Sequence, residues 1–260
     1  MSYIAISITE CYEPGHANFL INELKDTHPY HAREKSGGLL KFHNGLLLFS
    51  KFPIKRIQLI AHNKVSTLER YLATKSMLAI EIDIPNFGNC AIVNMHTTAG
   101  GATNPEHPDV DIDREDELKQ AIDYCKEVES EGKIGIIVGD LNCGPEASKS
   151  NYEYCLKAGF RDTYVEAVNS GKLEAGPTFT WDPVNHLNKI GPHASSPGQR
   201  CDHVLLPAAS CNHVTVGNAM VVFDEQEASL GTGKGNSTLS DHYGLVVKLQ
   251  SSKGGGFLGF

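Results

Sequence analysis

Short apolar runs, each closed by a turn former or a polar residue, restrict this chain to a strand-rich fold. The sharpest is 134–138, Ile-Gly-Ile-Ile-Val, set between Gly132 and Gly139. Such a run is too short for a stable helix and long enough for a buried strand. Comparable runs lie at 3–9, 45–50, 77–84, 90–95, 204–207 and 244–249. Helical spacing is confined to three places. Ala17, Leu20, Ile21 and Leu24 predict a helix over 15–26, and Leu118, Ala121, Ile122, Cys125 and Val128 predict another with acids near its start. A short helix is expected over 148–157, ended by Gly159.

Three of the strands deliver a polar group at the C-terminal end: Glu10, His96, and Asp140 within Gly139-Asp140-Leu141-Asn142. If the extended conformation persists, period-two alternation puts Asp140 and Asn142 on one side. Ser240-Asp241-His242 places a carboxylate beside an imidazole just before the run at 244–249. Carboxylates and an amide suit a hydrated Mg²⁺ or a phosphate, and a histidine moves protons near neutral pH. Together these groups are equipment for metal-assisted hydrolysis.

Elsewhere, Glu81 and Asp83 are expected on the outer face of their strand, and 86–89 is expected to form a hairpin turn around Gly88. The stretch 103–113 carries His107, Asp109, Asp111 and Asp113 but lacks the glycine and closing glutamate of a calcium loop, so it reads as a solvated surface loop. A long irregular stretch opens at Thr178-Phe179-Thr180-Trp181-Asp182-Pro183 and includes Trp181, the only tryptophan. Loops this long inside compact domains tend to be functional or disordered. Two further strands are expected at 214–216 and 219–223, and a Gly/Ser-rich loop at 231–237. No internal repeat or linker is visible, so 1–250 reads as one catalytic domain and 251–260 as a flexible Gly-rich tail.

A chain of 260 residues with 40% hydrophobic and 21% charged residues can bury a sizeable core. There is no run of about 18 apolar residues, and the N-terminal residues lack a basic region and a small-residue cleavage site. Seven scattered cysteines without a C-x-x-C pair read as reduced, mostly buried thiols. These features lead to the expectation of a cytoplasmic or peripheral-membrane monomer. The net charge of −8, with no cluster of Lys and Arg, disfavours tight nucleic-acid binding.

Glu10 after a strand, Asn94-Met95-His96, Gly139-Asp140-Leu141-Asn142, Arg200-Cys201-Asp202-His203 and Ser240-Asp241-His242 come in the order seen in the endonuclease/exonuclease/phosphatase superfamily, which the chain resembles over about 3–249. His96-Thr97-Thr98-Ala99-Gly100-Gly101 and Thr180-Trp181-Asp182-Pro183 with Asn188 look most like the neutral sphingomyelinases. The resemblance implies an α/β (α+β) four-layer sandwich, two mainly antiparallel sheets flanked by helices. It implies a Mg²⁺-dependent phosphodiesterase, with Mn²⁺ as a substitute, that hydrolyses sphingomyelin to phosphocholine and ceramide at a membrane surface.

Carried over residue by residue, Glu10 binds the metal and Asp241 lies beside it. His242 is the general base, held by Asp202. Asp140, Asn142 and His96 contact the scissile phosphate, with Asp140 or His96 assisting the leaving group; Trp181 is a candidate substrate contact. The sequence departs from the family in that the strand ending in Glu10 is the first element, without a preceding strand that carries a metal-site asparagine. The alternatives are a nuclease or phosphoinositide phosphatase of the same superfamily, or a catalytically impaired binding paralogue. Phe42, Trp181 and 257–260 are the candidates for membrane contact.

Overall fold

A computed structural model describes residues 3–34, 43–64, 75–100, 108–190, 194–226, 228–229, 236–252 and 257–260. Period-two alternation organises it. In β3 (Leu47–Ser50) and the residue before it, Leu46 and Leu48 join the core between two sheets, while Leu47 and Phe49 face the opposite way under α1 (Pro14–Leu24). In β5 (Ser76–Ile84), Leu78, Ile80 and Ile82 face the inter-sheet core and Met77 and Ala79 face outward under helices. A strand with both faces apolar is stable only if both faces are covered, and this sets four layers.

The larger sheet has six strands in the order β4-β5-β6-β7-β9-β8: β4 (Ile54–Ala61), β5, β6 (Gly88–His96), β7 (Ile134–Asp140), β9 (Asp202–Pro207) and β8 (Phe160–Asp162). Only β6 and β7 pair in parallel. Its outer face packs on α2 (Pro108–Ser130) and α3 (Lys149–Lys157) through Leu118, Ala121, Ile122, Cys125, Tyr152 and Cys155. The facing layer has two three-stranded antiparallel sheets. One is β1-β3-β2, with β1 (Ala5–Ile8) and β2 (Tyr30–Arg33); the other is β10-β13-β14, with β10 (Val214–Val222), β13 (Gly244–Ser251) and β14 (Phe257–Gly259). The Ile4 N–H donates to Gly259 O at 3.0 Å, so β14 joins the two. Beyond Phe260, an apolar cleft of about 240 Å³ separates β1 from β13, lined by Ile6, Ser7, Leu245 and Val246 over a floor of Val138 and Val204. Also described are α4 (Thr163–Asn169), two short 3-10 helices at Asn188–Ile190 and Ala208–Asn212, and β11 (Ala228–Ser229) paired antiparallel with β12 (Asn236–Ser237).

Several expectations are corrected. The segment 251–260, read as a flexible tail from its glycines, contains β14 paired to Lys248, Leu249 and Gln250, with Leu258 and Phe260 buried. Two apolar side chains in alternation and an open edge on β13 outweigh the glycine content. The solvated loop at 103–113 gives way at Pro108 to helix α2, because proline suits a helix start and Asp109 and Asp111 complement its dipole. Residues 103–107, including His107, lie outside the described residues. Glu81 lies on the outer face with Met77 and Ala79, as expected, but is buried there, paired with Lys133 Nζ at 2.7 Å and Arg56 Nη1 at 3.4 Å. The strands expected at 214–216 and 219–223 are one strand, bulged between Val216 and Asn218. Of the loop at 231–237, Asn236 and Ser237 form β12; Phe42 lies outside the described residues.

Candidate active site

The strand ends that carry Glu10, His96 and Asp140 converge because β6 and β7 run in parallel in register, His96 opposite Asp140. Gly139 makes this possible. Its φ is +118°, and a Cβ there would sit 2.1 Å from Met95 O, so no side chain fits between the two strands. Asn94, buried in β6, donates from Nδ2 to Ile8 O at 3.0 Å and Leu47 O at 3.4 Å. That amide ties the two layers together beneath Glu10. Glu10 itself has φ +59° and Asn142 φ +45°, a backbone region in which non-glycine residues are uncommon and which clusters at functional sites.

Asp202 opens β9 beside Asp140, its partner in register, and β13 follows directly on Ser240-Asp241-His242. His242 Nδ1 lies 2.8 Å from Asp202 Oδ2, and His242 Nε2 lies 4.0 Å from Asp140 Oδ2. His96 Nε2 is 3.4 Å from Glu10 Oε1 and 3.8 Å from Asp140 Oδ2, and its Nδ1 is 3.3 Å from the Tyr12 hydroxyl. A cavity of about 260 Å³ is lined by Glu10, His96, Asp140, Asn142, Trp181, Asp241 and His242. Of the expected site residues, Asp202 alone stands behind it, holding His242. A second, open cleft of about 680 Å³ shares Glu10, Trp181 and Asp241 with the first and adds Ile8, Leu187 and Leu239. Among the described residues, no Lys or Arg lines either space.

Asn142 does not continue the extended strand. Its left-handed φ turns the chain, its N–H donates to Asp140 Oδ1 at 2.8 Å, and its Nδ2 donates to Thr97 O at 3.1 Å. Asp140 and Asn142 thus share the cavity through a turn, not through strand alternation.

Electrostatically the site is overcharged. Burial, then the charge of Asp241, raises the Glu10 carboxyl above its ordinary value. Burial pushes the Asp140 carboxyl up to about 7, with Asp202 and Glu10 adding to the rise and His242 opposing it. Burial alone would lower the His242 imidazole, but Asp202 and Asp140 outweigh it and push it up to about 10. Asp140, Asp202 and His242 offer ligand atoms within 4.8 Å of one another, and Glu10 and Asp241 face the same cavity. Converging carboxylates suit a hard, oxygen-preferring dication.

Residues that sequence reasoning passed over hold this site. Arg114, fully buried, donates to Thr98 O, Gly100 O, Ser148 Oγ and Asn151 Oδ1, and Glu117 accepts from Thr98 N at 2.8 Å. They clamp the turn after His96 to the loop before α3. A charged residue on the apolar stripe side of α2 was the available signal. Tyr12, which contacts His96, carries no such signal, because its proximity depends on the chain crossing between layers.

No protein-family model and no curated protein matches the sequence. Solved structures do match. Sphingomyelinase C from Streptomyces griseocarneus superposes with a TM-score of 0.72 at 17% identity, covering 94% of this chain and 85% of that one. A Staphylococcus aureus beta toxin mutant with bound magnesium ions gives 0.71 at 19% identity, covering 93% and 85%. TDP2 from D. rerio, complexed with a single-strand DNA product, gives 0.66 at 15% identity, covering 95% and 85%. The expected four-layer α/β sandwich is therefore the fold of this chain, shared with these structures.

Proposed function

We propose that this chain is a divalent-metal-dependent phosphodiesterase that cleaves sphingomyelin to phosphocholine and ceramide. The observation that carries the reading is the His242–Asp202 pair, aimed with Nε2 into a cavity that Glu10, His96, Asp140 and Asp241 also face. Fold likeness to a sphingomyelinase and to a beta toxin with bound magnesium supports it.

In this reading the carboxylates that raise His242 are offset once a dication is bound, and the neutral imidazole then takes a proton at Nε2 from the attacking water as its oxygen bonds to phosphorus. Asp202 fixes the imidazole tautomer and stabilises the imidazolium. The bond from phosphorus to the ceramide oxygen breaks, and Asp140 or His96 gives that oxygen a proton. A carboxyl held near 7 is suited to this donation. Asn142 and His96 orient the phosphate, and Trp181 borders the substituent in the open cleft. Glu10 and Asp241 would hold Mg²⁺, or Mn²⁺ in its place, which neutralises phosphate charge when bound.

The absence of lining Lys or Arg among the described residues favours a phosphodiester with a compensating positive charge of its own over a polyanion. A zwitterionic headgroup meets that condition. No helix among the described residues is long and apolar enough to cross a membrane; the reading places the chain peripherally on the lipid surface. Of the candidates for membrane contact, Leu258 and Phe260 are committed to the core and Trp181 is half-buried, while Phe42 lies outside the described residues.

The test is phosphocholine release from sphingomyelin in mixed micelles, with Mg²⁺ and with EDTA, for the wild type and His242→Ala. Release that needs both metal and His242 supports the proposal. Turnover retained by the variant, or cleavage of a single-stranded oligonucleotide in preference to the lipid, overturns it.

A further inference from the structure

The irregular stretch after 178 touches both halves of the His242–Asp202 pair. Thr180 is fully buried, and its Oγ1 accepts from the N–H of Cys201 and the N–H of Asp202, each at 3.1 Å. Its carbonyl accepts from Tyr243 N at 2.6 Å, one residue past His242. One residue thus bonds the backbone of the acid and the backbone next to the base. Trp181 completes the bracket by bridging to Gln199 on one side and His242 on the other.

The same segment fixes the turn that carries the base. Asn185 Nδ2 donates to Ser240 O at 2.9 Å and Asp241 O at 3.2 Å, while its Oδ1 accepts from Thr238 Oγ1 at 2.7 Å and Leu187 N at 3.0 Å. Asn188 Nδ2 donates to Asp241 O and Asp182 O, both at 2.9 Å. Both amides are buried, so each lost bond would leave an unpaired group away from water. β9 and β13 belong to different sheets, and nothing in either sheet's ladder sets the distance between Asp202 and His242.

We propose that Thr180 is a positioning residue that registers Asp202 against His242, with Asn185 and Asn188 fixing the Ser240-Asp241 backbone from the same segment. Its kinetic consequence rests on the phosphodiesterase reading; its geometric consequence does not. The hydroxyl is the essential part, because it is what the N–H groups of Cys201 and Asp202 share. Thr180→Ser keeps it, and Thr180→Val replaces it with a methyl of similar size.

The experiment compares wild type, T180V, T180S and N188A on the full chain with two readouts. The first is the downfield proton NMR resonance of the His242 Nδ1–H bonded to Asp202, assigned by its absence from H242Q. The second is kcat and KM for phosphocholine release with Mg²⁺. T180V is expected to lose the resonance and about 10²-fold in kcat with KM nearly unchanged, as a misplaced catalytic group does. T180S is expected to keep both, and N188A to weaken both in the same direction. If T180V does not fold, N188A decides: an unaltered resonance overturns the proposal. It is equally overturned if folded T180V keeps the resonance, or if T180S loses as much as T180V. If the wild type releases no phosphocholine, the sphingomyelin reading falls and the resonance alone still decides the positioning role.

Discussion

His242 turns Nδ1 to Asp202 Oδ2 at 2.8 Å, and this bond aims its Nε2 at the cavity that also exposes Asp140. The pair is made across two sheets, from the first residue of β9 and the residue two before β13. Replacing Asp202 by Asn keeps the shape and removes the charge that stabilises the imidazolium. D202N is expected to lower kcat by about 10²–10⁴-fold with little change in KM, and to lower the metal-free thermal midpoint at pH 7 because the charge that holds the imidazolium is lost. Metal-dependent turnover and a thermal melt, run side by side, check this.

Metal-free stability should fall as pH rises. Burial opposes the charged imidazole of His242, yet Asp202 and Asp140 push it up to about 10. A group raised on folding contributes stability that is complete below its unfolded value, about 6.5, and is lost as pH climbs through the folded one. The window is therefore roughly pH 6.5 to 10. Thermal melts in EDTA at pH 6 and pH 9, for the wild type and H242Q, should show a larger loss in the wild type. Adding Mg²⁺ should raise the midpoint more at pH 9 than at pH 6, because metal binding among these groups releases protons and is favoured as pH rises.

Asp162 works in the opposite sense. Burial would raise its carboxyl, but His203 and Arg200, the latter with Nη1 at 2.5 Å, hold it well below the usual carboxylate range. It also accepts from Tyr152 Oη at 2.9 Å and caps α4 through Tyr164 N. A depressed carboxyl contributes stability above its unfolded value, about 3.9, which is lost as pH falls from there. D162N should cost about 3–5 kcal/mol at pH 7, because it leaves Arg200 buried without its charge partner. Urea melts at pH 7 and pH 3 should show the gap between variant and wild type narrowing at the acid end.

The last strand should matter to stability. Leu258 is fully buried against Val247, Leu249 and the inter-sheet core. L258A should cost roughly 2–5 kcal/mol, read as a lower urea midpoint with an unchanged slope. A loss below about 0.5 kcal/mol would show that β14 is not part of the folded core in solution.

The sequence by itself determined the local elements and the polar groups at their ends. Alternation in 77–84 and 90–95, the helical stripes led by Ala17 and Leu118, and the turn at Gly88 all follow from short-range periodicity, which backbone geometry enforces wherever a side chain must be buried. Glu10, His96, Asp140, Asp202, Asp241 and His242 were legible as strand-end groups, with their order carrying the resemblance. What no local pattern contains is distance between elements. Only the tertiary structure decided that Asp202 meets His242 across two sheets, that Tyr12 reaches His96, and that Arg114 clamps Thr98 and Gly100. It also decided that a glycine-rich tail closes a sheet, because the value of burying Leu258 depends on an open strand edge some ten residues earlier in β13. Such contacts form when distant segments satisfy one another's buried polar groups and exposed edges, and that requirement is met by the packed chain as a whole.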